Sequence, residues 1–142
     1  MKYITSFVIA VLVLMTAIAQ ENRAEERPDA VFMGNSITQN WMHFHPGYFS
    51  ENNFIGKGIG GEVTAQMLLR FRKDVIMLQP KVVVIFAGTN DIAQNQGYVT
   101  HRQIMDNIAS MADLARFYGI EVILCSVLPA GEYMWRPDEF NE

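Results

Sequence analysis

The chain has 142 residues, 50% of them hydrophobic, with 11 Lys and Arg against 15 Asp and Glu, for a formal net charge of −4. That length allows one domain at most, and mild acidity without basic clusters argues against nucleic acid as a partner. A single cysteine, Cys125, excludes an internal disulfide. In chain order, Lys2 precedes an unbroken apolar run from Phe7 to Met15, and small residues continue to Ala19. Ala17-Ile18-Ala19 supplies the small-x-small pattern of a signal peptidase site, so residues 1–19 read as a secretory signal peptide. The protein is therefore expected to be exported, to the periplasm or the extracellular space. The apolar core falls short of the roughly 20 residues a spanning helix needs, so no stable membrane anchor is expected after cleavage. No cysteine follows the cleavage site, so lipid attachment there is not suggested. Residues 20–29 are charged and polar and read as a linker, leaving 30–142 as the folded domain.

Val31-Phe32-Met33 is a short apolar run that stops at Gly34-Asn35-Ser36-Ile37-Thr38. This pattern predicts a buried strand that breaks at a glycine and delivers a serine to the start of a helix reaching about Trp41. His43 to Asn53, with Pro46 and Gly47, reads as a loop. Phe54 and Ile55 make a brief second strand, broken by Gly56, Gly58, Gly60 and Gly61. Val63, Met67 and Phe71 recur every fourth residue as one face of an amphipathic helix, with Arg70, Arg72 and Lys73 loading its C-terminal end. Pro80 precedes the third strand, Val82 to Ala87, which closes at Gly88-Thr89-Asn90-Asp91. Thr100 and Gln103 form a capping box, starting a helix whose Ile104, Ile108, Met111 and Ala115 share a face. Gly119 sits at the expected C-terminal cap, and Ile120 to Val127 is the fourth strand, in which Cys125 reads as a small buried core residue.

Continuous apolar strands separated by helices predict a parallel α/β sheet covered on both faces. Ligands bind at the carboxyl ends of strands in such sheets. Ser36, Gly60, Gly61 and Asn90 all fall just past strand ends, so the fold should gather them on one rim. A serine at a helix start is exposed to free backbone N–H groups and the positive end of the dipole, which suits a nucleophile that generates an anion. Each residue alone also has a bland reading. Ser36 and Gly61 serve as ordinary turn residues, and Asn90 as an Asx-turn or helix cap.

Taken in order, these blocks resemble the SGNH (GDSL-type) hydrolase family. The resemblance implies a flavodoxin-like three-layer α/β/α fold and a serine ester hydrolase that needs no metal and no cofactor. Gly34-Asn35-Ser36-Ile37-Thr38 matches the first block, which implies Ser36 as nucleophile with Gly34 and Asn35 supporting it. Gly58-Ile59-Gly60-Gly61-Glu62 resembles the second, with the Gly61 N–H as oxyanion donor and Gly60 its neighbour. Gly88-Thr89-Asn90-Asp91 matches the third, making the Asn90 amide the other donor, with Gly88 and Asp91 in support. The implied substrate is a small-molecule or polysaccharide ester, with an O-acyl group such as acetyl on a carbohydrate or lipid.

Two departures qualify the resemblance. Asn35 replaces the family's name-giving Asp, a nearly isosteric change that keeps hydrogen-bonding capacity. More seriously, no Asp-x-x-His occurs in the chain, and a serine hydroxyl needs a base to take its proton. His43, His45 and His101 all lack an Asp three residues before them and read as solvated or loop-packing residues. The chain therefore reads as the N-terminal part of a hydrolase domain, expected to turn over little ester on its own. The alternative is a catalytically inactive remnant or carbohydrate-binding module, using Trp41, His43, Phe44, His45 and Tyr48 on the same rim.

Overall fold

Val31, Met33, Val83 and Ile85 are almost fully buried, as the central strands of a covered parallel sheet require. The computed structural model describes residues 9, 11–16, 27–129 and 133. Four strands, β1 (Ala30–Gly34), β2 (Phe54–Gly58), β3 (Val82–Phe86) and β4 (Glu121–Leu124), lie in the order β2-β1-β3-β4 with every neighbouring pair parallel. The helices are α1 (Ser36–Phe44), α2 (Pro46–Glu51), α3 (Thr64–Asp74), the single turn α4 (Thr89–Ile92) and α5 (His101–Phe117), with a 3-10 turn at Ile76–Leu78. Residues 11–16 are also helical, and among the described residues no helix is long and apolar enough to cross a membrane. The cleavage site at Ala19, most of the 20–29 linker and most of the segment beyond Pro129 lie outside the described residues.

Parallel pairing forces each connection to cross over the sheet, and the helices divide between its faces. On one face, Met67 and Phe71 of α3 and Met111 and Ala115 of α5 pack with Val31, Met33, Val83 and Ile85 in the main core. On the other, α1 and α2 cover β1 and β2, and Phe32 meets the Trp41 and Phe49 rings edge-on at 5.3 and 5.5 Å. The capping box at Thr100 and Gln103 forms as expected, and Gly119 takes φ +70 after the last turn of α5. At the end of the sheet away from the rim, Lys81 pairs with Asp29, and its hydrogen bond holds that carboxyl below the usual carboxylate range.

Several local expectations fail for identifiable reasons. The stretch His43 to Asn53 is largely helical: α1 continues to Phe44, and Pro46 starts α2 at a position where proline's fixed φ favours a helix. Gly56 and Gly58 do not break the second strand; they belong to β2 and let α1 lie directly on it. A Cβ on Gly56 would strike the Met42 sulfur, and one on Gly58 would lie 2.8 Å from the Asn35 carbonyl oxygen and closer still to the Thr38–Gln39 backbone. The fourth strand is shorter than expected, covering Glu121–Leu124, with Cys125 N–H adding one more bond to the Ile85 carbonyl. Cys125 is exposed, not buried. It lines an apolar groove of about 360 Å³ with Phe32, Ile37, Trp41, Val84 and Phe86, and Ile123 and Leu124 are 52% and 51% exposed. Among the described residues, then, both faces are covered at the β2–β1 end, but β4 stays open.

Because the atoms facing Gly58 are backbone and cannot swing away, Gly58→Ala is expected to destabilise the fold by about 3 kcal/mol in urea unfolding. Gly47→Ala, whose Cβ would meet only the flexible Glu51 side chain, should be neutral or slightly stabilising in the same measurement.

Candidate active site

Ser36 is the first residue of α1, and Asn35 caps that helix. Asn35 is 2% exposed, and its Oδ1 accepts from the Ile37 N–H at 3.0 Å. Asparagine thus supplies the cap acceptor that an aspartate would. First-turn N–H groups have no partner within the helix, so the Ser36 N–H is available at the positive end of α1. Gly34 is needed just before it, since a Cβ there would run into the Thr38 side chain and approach the Phe86 carbonyl oxygen to 3.2 Å.

The glycine-rich loop after β2 is fastened to the same turn: the Ile59 N–H donates to the Gly34 carbonyl at 3.1 Å. A Cβ on Gly60 would lie 3.9 Å from the Ser36 Cβ, so the loop passes alongside the serine. Gly61 has φ +77, a left-handed conformation that glycine adopts without strain. Nothing lies within 4 Å of where its Cβ would be, so a side chain there would project into open space in front of the loop.

Asn90 sits in α4, which begins after Gly88 at φ +112. It is 3% exposed, and its Nδ2 donates to the Glu62 carbonyl at 2.8 Å. An amide nitrogen carries two hydrogens, and one of these secures the glycine loop. Asp91 performs a separate task. Its buried carboxylate accepts from the Thr64 N–H at 3.0 Å and from the Thr64 hydroxyl at 2.6 Å, while Asn107 Nδ2 donates to that hydroxyl at 3.0 Å. Val63, at the N-cap of α3, has no side-chain acceptor, so Asp91 caps α3 from across the fold. The hydroxyl of Thr89 is buried with no hydrogen-bond partner among the described residues.

Ser36, Gly61 and Asn90 come together around one cleft of about 220 Å³, as their positions past three strand ends predict. Asn95 joins them and was not foreseen. It lies in the polar stretch Gln94-Asn95-Gln96, which carries no motif, and reaches the cleft because its N–H folds back onto the Asn90 carbonyl at 3.0 Å. Arg70, read among the basic residues loading the C-terminal end of α3, turns inward, with its side chain 14% exposed. The three histidines are exposed. His43 follows Ser36 by seven residues on the same helix, a rise of about 10 Å, against the roughly 3 Å at which a base takes a proton. Among the described residues, no His, Cys, Asp and Glu side chains form a group that could hold a metal ion.

The strand order and the rim at the carboxyl strand ends place the chain in the flavodoxin-like three-layer α/β/α class. Residues 32–142 match the model of the GDSL-like lipase/acylhydrolase family, and the chain belongs to that family. A GDSL-like lipase structure from Bacteroides thetaiotaomicron is 49% identical with a TM-score of 0.78, covering 89% of this chain and 64% of its own. Subunit alpha1 of bovine platelet-activating factor acetylhydrolase IB is 30% identical over 115 residues, 77% of this chain and 47% of that protein. The acetyl xylan esterase AlAXEase is 25% identical with a TM-score of 0.59, covering 68% of this chain and 56% of its own. The chain therefore spans about half to two thirds of the length of these relatives.

Thr64→Val deletes the hydroxyl that donates to Asp91 and accepts from Asn107. It is expected to cost about 1–3 kcal/mol in urea unfolding, with Thr64→Ser recovering most of the loss.

Proposed function

We propose that this chain carries the nucleophile and oxyanion hole of an exported serine ester hydrolase. The observation that supports this reading is the meeting of Ser36, Gly61 and Asn90, from three separate segments, around one cleft. In the reaction, Ser36 Oγ attacks the ester carbonyl carbon, and the carbonyl oxygen becomes an oxyanion. The N–H groups of Ser36 and Gly61 and the second Asn90 amide hydrogen would hold that charge, being oriented before it forms. Collapse expels the alcohol and leaves the acyl group on Ser36, from which water removes it. Attack also requires the Ser36 proton to leave. In the resembled family the histidine of an Asp-x-x-His accepts it and returns it to the departing alcohol; that motif does not occur in this sequence, so turnover by the chain alone is expected to be small.

The substrate we assign is an O-acyl ester with a short acyl group, acetyl foremost, on a carbohydrate or lipid alcohol. The similarity to an acetyl xylan esterase and to an acetylhydrolase subunit supports this class, as does a cleft of only about 220 Å³. Export rests on the pattern of residues 1–19, which matches a cleaved signal peptide.

Hydrolysis of p-nitrophenyl acetate by the purified chain, beside its Ser36→Ala variant, tests the assignment. Native turnover is expected to stand little above the variant, and added imidazole, an external base, should raise it selectively. Under those conditions Asn90→Ala should lower the rate by roughly 10²–10³. Equal rates in native and Ser36→Ala protein with imidazole, together with no fluorophosphonate labelling of Ser36, would refute the nucleophile and leave the inert binding module as the reading.

A further inference from the structure

Arg70 lies outside every motif and makes four hydrogen bonds. Its Nε donates to Glu62 Oε2 at 2.6 Å and its Nη1 to Asp74 Oδ2 at 2.8 Å. Nη2 is shared between the Gly34 carbonyl at 3.2 Å and the Lys57 carbonyl at 2.9 Å. The side chains of Arg70, Glu62 and Asp74 are only 14–15% exposed. A planar guanidinium with five donors can satisfy four acceptors spread around its edge; a lysine ammonium has three donors on one point and cannot.

Three of the four acceptors mark parts of the proposed site, the fourth, Asp74, lying on the same helix as Arg70. Gly34 ends β1 two residues before Ser36, and its carbonyl also receives the Ile59 N–H of the glycine loop. Lys57 stands near the end of β2, where that loop begins. Glu62 directly follows Gly61, and its own carbonyl receives the Asn90 amide. One guanidinium therefore ties the serine turn to the glycine loop, and through Glu62 to the asparagine. Its charge is offset locally: Glu62 and Asp74 are both hydrogen-bonded to it, and Lys57 Nζ lies 3.7 Å from Asp74 Oδ1. Two cations and two carboxylates sum to zero, so the cluster acts by fixing positions and adds little field at the oxyanion.

We infer that Arg70 is the positioning residue of the oxyanion hole, setting the mutual placement of the Ser36 N–H, the Gly61 N–H and the Asn90 amide. The inference rests on the proposed roles of those three residues. It gives Arg70 no contact with substrate and no proton to transfer.

The test uses the full chain and three variants: Arg70→Lys, Glu62→Gln and Glu62→Ala. Two quantities are read, the rate of Ser36 labelling by a fluorophosphonate and the ¹H–¹⁵N resonances of the Asn90 side-chain amide. Arg70→Lys should remain cooperatively folded, label at least tenfold more slowly and shift the Asn90 amide resonances. Glu62→Gln, which keeps an acceptor for the guanidinium, should label within about threefold of native, whereas Glu62→Ala should follow Arg70→Lys. If Arg70→Lys does not fold, the Gln against Ala contrast at position 62 decides. Unshifted Asn90 resonances with native labelling in folded Arg70→Lys, or equal behaviour of the two Glu62 variants, would overturn the inference. Should native Ser36 fail to label at all, the nucleophile assignment falls, while the Asn90 resonances still report whether Arg70 sets the geometry.

Discussion

The buried carboxylate of Asp91 ties together two segments on the rim of this fold. A carboxylate removed from water is costly unless hydrogen bonds replace its hydration. Thr64 supplies two donors, one from its backbone and one from its hydroxyl, at the positive end of α3. The bond joins the segment after β3 to the start of α3, which lie 27 residues apart. Asn90, next to Asp91, and Glu62, two residues before Thr64, then meet at 2.8 Å. Without the anchor, the Thr64 N–H would lose its acceptor, and the glycine loop would be tied to the segment after β3 by the Asn90–Glu62 bond alone.

A second constraint acts on the opposite side of the rim. Gly56 and Gly58 let α1 approach the backbone of β2 more closely than any side chain would allow. The helix that carries Ser36 therefore rests on main chain, with Asn35 closing its first turn. The serine is fixed by backbone contacts beneath it, the glycine loop by Arg70 and the Gly34 carbonyl, and the asparagine by Glu62. These are polar, directional ties, while the apolar core around Met33, Met67 and Phe71 supplies the bulk of the burial.

Much of this was legible in the sequence because strand ends are. Each of the first three apolar runs stops at a glycine-containing segment, and a parallel sheet places such segments on one edge; that was enough to gather Ser36, Gly61 and Asn90. The glycines of β2 misled because a glycine reads the same whether it breaks a strand or admits a neighbour, and only the partner, here Met42 or the α1 backbone, tells the two apart. Arg70 was hidden for a related reason. Its position on α3 is that of a solvated basic residue, and its four acceptors come from three other chain segments as well as its own helix. Cys125 was misplaced because an apolar run reports a strand but not whether both faces of that strand are covered. Asn95 carried no signal, since its place in the cleft follows from how the chain turns after α4.

The register of the sheet bears on the order in which the molecule is put together. β1 pairs with β2 and with β3, whereas β4 pairs only with β3. Every residue of the cleft lies in the segments that follow the first three strands, between Ser36 and Asn95. A ribosome releases the chain from its N-terminus, so the residues that line the cleft are all synthesised before α5 and β4, and that later stretch completes the core through Met111, Ala115 and Ile120. The chain thus separates into an early portion that lines the cleft and a later portion that completes the apolar core.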